Sequence, residues 1–359
     1  MTWLFGSRSD AVTAVVTLAI LALVPLYVIE TGGTYRARLI ELFLVFAIIA
    51  MGLNIVFAHT DQLFLFSGAL AGISTYTTVV LLDAVGTPIW VLVPVGALVA
   101  GLIGALVSYV ASRLEMTIIV IAILTLSLQL VAEEYFEGAR DVTGGTTGLR
   151  FDDLQLTAVE EALGVSSQIV NYYLMLLVLA GSFVLYSRMM RSRYGLAFDA
   201  IRQDRVAAEA VGINVTRYKV IAAFTGAALI GLVGPFYATA QGRVTPSDFA
   251  FLNVDVFVLI VIVLGGMRTM LGPVVGSGLL ILINEELDVF GQWELSVFGL
   301  LLIGLFLYFS DGVVPFLADV ARTDPRTLPR RSMEWVQTSP RRLREWLRTL
   351  PDRVRGRGR

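Results

Sequence analysis

The chain has 359 residues, of which 56% are hydrophobic and only 16% charged, and its formal net charge is −2. A soluble domain carries about a quarter charged residues, so this sequence has too few charges to coat a water-facing surface of its size. The near-neutral balance provides no basic field for nucleic acid, the lack of cysteine excludes disulfides, thiolate catalysis and cysteine-held metals, and a single histidine, His59, leaves no histidine relay.

A helix needs about 20 mostly apolar residues to cross the hydrocarbon core of a bilayer. Runs of this kind fall at 11–29, 39–58, 63–82, 88–111, 116–132, 169–187, 219–241, 253–267, 271–290 and 295–315. They predict an all-α, polytopic membrane helix bundle of about ten transmembrane helices in the cell membrane, within a domain over residues 1–318. The first run follows Arg8 and leads straight into Glu30-Thr31-Gly32-Gly33. It is too long, and too poor in a small-residue cleavage site, to be expected as a signal peptide, so a retained span is predicted.

Polar groups inside these runs are the first candidates for function, because lipid penalises them unless they face a path or a partner helix. Asn54 lies deep in the second run. Gln62 stands just before the third, Ser67, Ser74 and Thr75 lie in it, and Thr125 and Gln129 sit four apart on one face of the fifth. Asn54, Gln62, Ser67, Thr75, Thr125 and Gln129 are therefore candidate substrate-pathway residues, with hydrogen bonds between helices as the plain alternative. The glycine pairs 101 and 104, 231 and 234, and 272 and 276 are read as close-packing positions. His59 is expected at the inner membrane surface, with Asp61 as a neighbour able to pair with it.

Orientation follows from arginine placement, since basic loops stay in the cytoplasm. The segment 188–218 carries Arg188, Arg191, Arg193, Arg202, Arg205 and Arg217, and the tail 319–359 is Arg-rich. Both are predicted cytoplasmic, which places both termini inside and the acidic segment 133–168, with Glu133, Glu134, Glu137, Asp152 and Asp153, outside. Arg36 and Arg38 run against this topology. In the tail, Leu343, Trp346, Leu347 and Leu350 among arginines fit a helix on the inner membrane surface, and a disordered basic tail fits equally.

The cytoplasmic segment 188–218 is predicted to form a helix after Gly195 that ends at Gly212, since glycine suits the left-handed position past a helix end. Arg205 and Glu209 are spaced to pair across one turn, and Thr216 is placed to cap the next membrane helix. Ala207-Ala208-Glu209-Ala210 presents small side chains, which a partner can approach closely. An ordinary amphipathic surface helix is the alternative.

Tyr194, Gly195, Ala200, Ile201, Arg202, Ala207, Ala208, Glu209, Ala210, Gly212, Ile213, Asn214, Val215, Thr216, Arg217, Tyr218 and Lys219 match, without a gap, the coupling loop of the branched-chain amino acid permease family of ABC transporters. Further stretches are similar in the same order: Gly52-Leu53-Asn54 with Gln62-Leu63, Gly72-Ile73 and Tyr76-Thr77, then Thr143-Gly144-Gly145 with Gly148-Leu149, then Leu264-Gly265-Gly266 with Leu271-Gly272-Pro273. The sequence resembles the longer of that family's two permease subunits over roughly residues 40–290. Asp61, Phe64, Phe66, Ser67, Arg268 and Thr269 depart from the family pattern, which bears on cargo more than on architecture.

The resemblance implies an importer subunit for branched-chain amino acids. It implies that Ala207, Ala208, Glu209, Ala210, Gly212, Ile213 and Asn214 contact an ATPase. The partners implied are a second permease subunit, two cytoplasmic ATP-binding subunits and an extracytoplasmic solute-binding protein. The chain carries no Walker-type phosphate loop, so ATP hydrolysis is expected on other chains and neither catalysis nor a cofactor or metal on this one. Thr143-Gly144-Gly145-Thr146-Thr147-Gly148 is read as a tight external turn. Within the same superfamily the cargo can be urea or another amide, a sugar or a nucleoside. An ion-coupled secondary transporter would need intramembrane carboxylates or broken helices, and carboxylates are scarce in the spans.

Overall fold

The computed structural model describes residues 8–31, 33–85, 89–150, 167–287, 299–300, 303–304 and 312–322. The chain divides into two compact units at Val314 and Pro315. Most of the last apolar run, residues 151–166 of the acidic outer segment and most of the Arg-rich tail lie outside the described residues.

Helices α1 (Arg8–Thr31), α2 (Gly33–Leu53), α3 (Ser67–Val85), α4 (Ile89–Arg113) and α5 (Ile118–Gly138) follow the first five apolar runs. A short α6 (Arg140–Thr143) and strand β1 (Leu149–Arg150) come next. Then come α7 (Ser167–Arg191), α8 (Arg193–Gln203), α9 (Arg205–Ala210) and α10 (Val215–Gln241), followed by β2 (Arg243–Val244), α11 (Asp255–Gly265), α12 (Gly272–Leu287) and α13 (Val313–Arg322). Among the described residues, five helices are long and apolar enough to cross a membrane: Tyr35–Ala58, Val91–Arg113, Ile118–Gly138, Ile169–Arg191 and Val215–Ala240. Val12–Pro25, Ser67–Leu82 and Asp255–Gly265 are shorter apolar helices.

Burial explains the composition of the individual helices. The most apolar window of α2 is 78% buried inside the protein, whereas that of α5 is 22% buried. A helix that is apolar all round has no preferred solvent face and can sit at the centre of the bundle. From Leu44 to Leu53 every α2 residue is buried. α10 packs against α2, α3 and α4, and α12 packs against α2 and α11.

Small residues set these crossings. A Cβ on Gly52 would lie 2.6 Å from the carbonyl oxygen of Gly226, and one on Gly226 would strike the carbonyl of Gly52, so α2 and α10 touch backbone to backbone. Gly104 meets Ala227, and Gly231 meets Ala100, which runs α4 antiparallel to α10. Gly276 rests on the carbonyl of Val261, joining α12 to α11. Close approach of this kind is the means by which helices associate in lipid, where apolar surface alone gives no net drive.

The third run departs from the expected span. α2 continues through a π-helical turn, Asn54–Ala58. Asp61 then takes a left-handed backbone, φ 53°, and ends the helix. Residues 62–66 run extended and α3 starts only at Ser67. Along that strand Gln62, Phe64 and Phe66 point inward, the alternation an extended chain imposes. Phe64 and Phe66 pack edge to face with their ring centroids 5.1 Å apart, so these two departures from the family pattern fill the core.

On the side of the bundle carrying the acidic segment, β1 and β2 pair antiparallel, Leu149 opposite Val244 and Arg150 opposite Arg243. The glycine-rich turn before β1 has positive φ at Gly144, Gly145 and Gly148, as a tight turn requires. A side chain at Gly148 would run into the carbonyl of Val244.

Candidate functional site

Two regions carry chemistry. The first is the elbow between α7 and α10, the segment expected to be cytoplasmic. A single helix is expected there; the structure has two, because Asp204 breaks the run and caps the second. Its carboxylate accepts hydrogen bonds from the Val206 and Ala207 amides at 2.8 and 3.1 Å. Ser192 caps α8 in the same way through the Tyr194 amide. Gly212, φ 87°, closes α9. The cap of α10 is Asn214, whose side-chain oxygen accepts from the Arg217 amide at 2.9 Å; Thr216, expected from sequence, lies inside the helix.

The expected Arg205–Glu209 pair is present at 3.2 Å, and Arg205 also reaches Glu115 at the end of α4, at 3.0 Å. Ile201, Ala208 and Val215 are buried together as a small core, with Ile213 partly buried against them. Ala208 therefore faces inward, while Ala207, Glu209, Ala210, Gly212 and Asn214 face out. The outward face is apolar at its edges: Leu196, Val206 and Val211 are 70%, 75% and 77% exposed. Sequence alone missed these three valine and leucine positions, because burial of Ala208 depends on Val215 beyond the turn.

The second region surrounds the break before α3. The first amides of a helix have no partner in their own turn, and lipid supplies none, so buried side chains must accept from them. Thr125 Oγ1 accepts from the Leu65 amide at 3.0 Å, and Gln129 Oε1 accepts from the Ala69 amide at 2.7 Å. The two oxygens of Asp255, at the start of α11, accept from the Ser67 and Gly68 amides at 2.5 and 3.2 Å. Gln129 also donates to the Phe249 carbonyl at 2.7 Å, and Glu133 accepts from the Phe251 amide at 2.6 Å, which draws the segment after β2 into the bundle.

All six residues singled out as pathway candidates are fully buried. Gln62, Ser67, Thr125 and Gln129 gather around the break. Gln62 accepts from the Ser108 hydroxyl at 2.7 Å and donates to the Thr60 hydroxyl at 2.8 Å. Asn54 stands apart, clasping the turn between α11 and α12 through the Arg268 amide and the Thr269 carbonyl, both at 3.0 Å. Thr75 bonds back to the Ala71 carbonyl of its own helix. Asp255 was not singled out by the sequence. Its signal was there to read, as the carboxyl group at the head of an otherwise apolar run. His59 is buried and lies 2.8 Å from the Tyr186 hydroxyl, so its partner is Tyr186 in place of the expected Asp61.

Residues 35–310 match the family described as branched-chain amino acid transport system / permease component. The high-affinity branched-chain amino acid transport system permease protein LivM of Salmonella typhimurium is 28% identical over 76% of this chain and 68% of its own length. LivM of Escherichia coli is 27% identical over 86% of this chain and 76% of its own. A probable branched-chain amino acid transport permease protein, LivH of Methanocaldococcus jannaschii, is 25% identical over 70% of this chain and 79% of its own. No solved structure matches the chain. With its long apolar helices and this match, the chain is a multi-pass membrane protein belonging to the branched-chain amino acid transport system permease family.

Proposed function

We propose that the chain forms one half of the translocation path of an ATP-driven importer for branched-chain amino acids. The observation that carries the reading is the elbow α8–α9. It is a compact, capped knob with an exposed apolar rim, set between two membrane helices of a transport subunit. Such a rim suits a groove on a soluble ATPase. The contact residues are Val206, Ala207, Glu209, Ala210, Val211, Gly212 and Asn214, with Ile213 and Ala208 supporting them from behind. The cargo assignment rests on the names of the relatives.

In this reading about ten spans cross the membrane, both termini are cytoplasmic, and the β1–β2 strand pair faces an extracytoplasmic solute-binding protein. A second permease completes the path, two ATPases dock below, and rocking of helices provides alternating access. Asn54, Gln62, Ser67, Thr125 and Gln129 serve the path by holding the break before α3 and the inner turn, Thr75 lies further along α3, and cargo passes where those contacts open. Another small solute of the same superfamily is the nearest alternative cargo. An ion-coupled transporter is favoured by one observation, the buried Asp255 beside a broken helix. Against it, both oxygens of Asp255 already accept from backbone amides.

Purification of the tagged chain in mild detergent from its own host tests this. Co-purification of ATPase chains and a second permease is the expected result. Recovery of the chain alone, moving solute in vesicles under an ion gradient without ATP, contradicts it.

A further inference from the structure

We propose that α11 is a stiff link carrying displacement of the cytoplasmic elbow to the break in α3, with Arg268 and Asp255 as its two anchoring residues; this rests on the reading of the elbow as the ATPase-facing element.

The inner anchor is specific. The Arg268 guanidinium meets Asp199 of α8 at 2.6 Å. The backbone on both sides of the Arg268–Thr269 bond is clasped by one carboxamide, Asn54, which accepts from the Arg268 amide and donates to the Thr269 carbonyl. Arg268 holds φ 63°, a left-handed conformation rare outside glycine, asparagine and aspartate. Such a conformation persists where its surroundings over-determine it. The turn is tightened further by Thr269, whose hydroxyl donates to the Gly266 carbonyl at 2.8 Å and accepts from the Gly272 amide at 2.9 Å. A push on α8 is thus delivered to the foot of α11 without a slack joint.

The link itself is an 11-residue helix, about 16 Å long at the usual rise per residue. Val258, Val261, Ile262 and Leu264 are buried along it, so it moves with its packing as a unit. At its far end Asp255 holds the first two amides of α3. Asp255 therefore opens α11, and Arg268 stands in the braced turn that follows its other end. The latter is at the cytoplasmic elbow, and the former is at the break where residues 62–66 lead into α3.

Stability does not account for the inner pair. Asp199 and Arg268 have half-exposed and quarter-exposed side chains, and exposed ion pairs contribute little to folding. Its loss should leave the bundle intact and show itself in transmission.

The test uses the full importer in proteoliposomes, with uptake and ATP hydrolysis measured together. Asp199→Ala and Arg268→Ala are expected to keep their ATPase and its hydrolysis while uptake per ATP falls about tenfold, the size of a typical coupling energy. The exchanged pair D199R/R268D, with aspartate at the left-handed position, is expected to restore most of the loss. Asp255→Asn, which keeps one acceptor, is expected to lower uptake per ATP as well. Combined with Arg268→Ala it should cost no more than the worse single change, because both cut the same link. Unchanged uptake per ATP in Arg268→Ala, additive losses in the double variant, or loss of ATPase binding in step with uptake overturns the proposal. Absence of ATP-dependent uptake in the unaltered importer would be seen before any variant, and it overturns the importer reading together with this one.

Discussion

Asp255 caps a helix that begins 188 residues earlier in the chain: its oxygens accept from the Ser67 amide at 2.5 Å and lie 3.2 Å from the Gly68 amide. Removing this acceptor leaves two buried donors facing an apolar interior. Asp255→Ala is expected to destabilise the bundle by about 2–4 kcal/mol, from the cost of unsatisfied buried groups. Asp255→Asn should cost clearly less, since its carbonyl still accepts. Thermal unfolding in detergent separates the two, and equal melting of both variants and the unaltered chain would contradict the capping role.

Gln129 joins three segments, accepting from Ala69 and donating to the Phe249 carbonyl and to Glu133. Gln129→Leu keeps the volume and removes all three bonds. It should cost about 1–3 kcal/mol and free the segment 249–254, read as faster amide exchange at Phe251. Unaltered exchange there would show that Glu133 alone holds the segment.

The elbow offers a contrast between adjacent positions. Val206 is 75% exposed, whereas Ala208 is buried against Ile201 and Val215. Val206→Asp is expected to stay within about 0.5 kcal/mol in stability, as surface changes do, and to abolish ATPase co-purification. Ala208→Arg forces a charge into the small core and should disorder the elbow. A Val206→Asp variant that retains its ATPase would remove this face from the docking surface.

The crossing of α2 and α10 tolerates no side chain. Gly226→Val would press into the Gly52 carbonyl and the Val56 side chain. Over-packing at a backbone contact costs about 3 kcal/mol, so this variant should melt earlier or fail to accumulate in the membrane. Normal accumulation and melting would mean that the helices cross further apart than the structure has them.

Much of this was legible in the sequence, and the gaps have physical causes. The first nine apolar runs fall on helices, with ends displaced by up to six residues, because the need for about 20 apolar residues is a strong constraint. The glycine pairs were legible as contacts, since Gly104 and Gly231 meet alanines on the opposing helix. Thr125 and Gln129 were legible as one polar face but not as caps, because their partners are amides exposed only where α3 starts late. That late start depends on Asp61, on Asp255 and on contacts between distant segments, which no local window contains. The split of the elbow at Asp204 was available from its capping residue, but the Ala-rich run on either side favours one helix. The inward turn of Ala208 follows from packing on Val215 and has no local signal.

Reconstitution tests the central claim most directly. The chain, with its co-purified permease and ATPases, is placed in liposomes with labelled leucine and the binding protein outside, and uptake is followed with ATP or without it inside. The account predicts leucine accumulation that needs both ATP and the binding protein and disappears in Val206→Asp. Accumulation that proceeds without ATP, or that survives Val206→Asp unchanged, would contradict it.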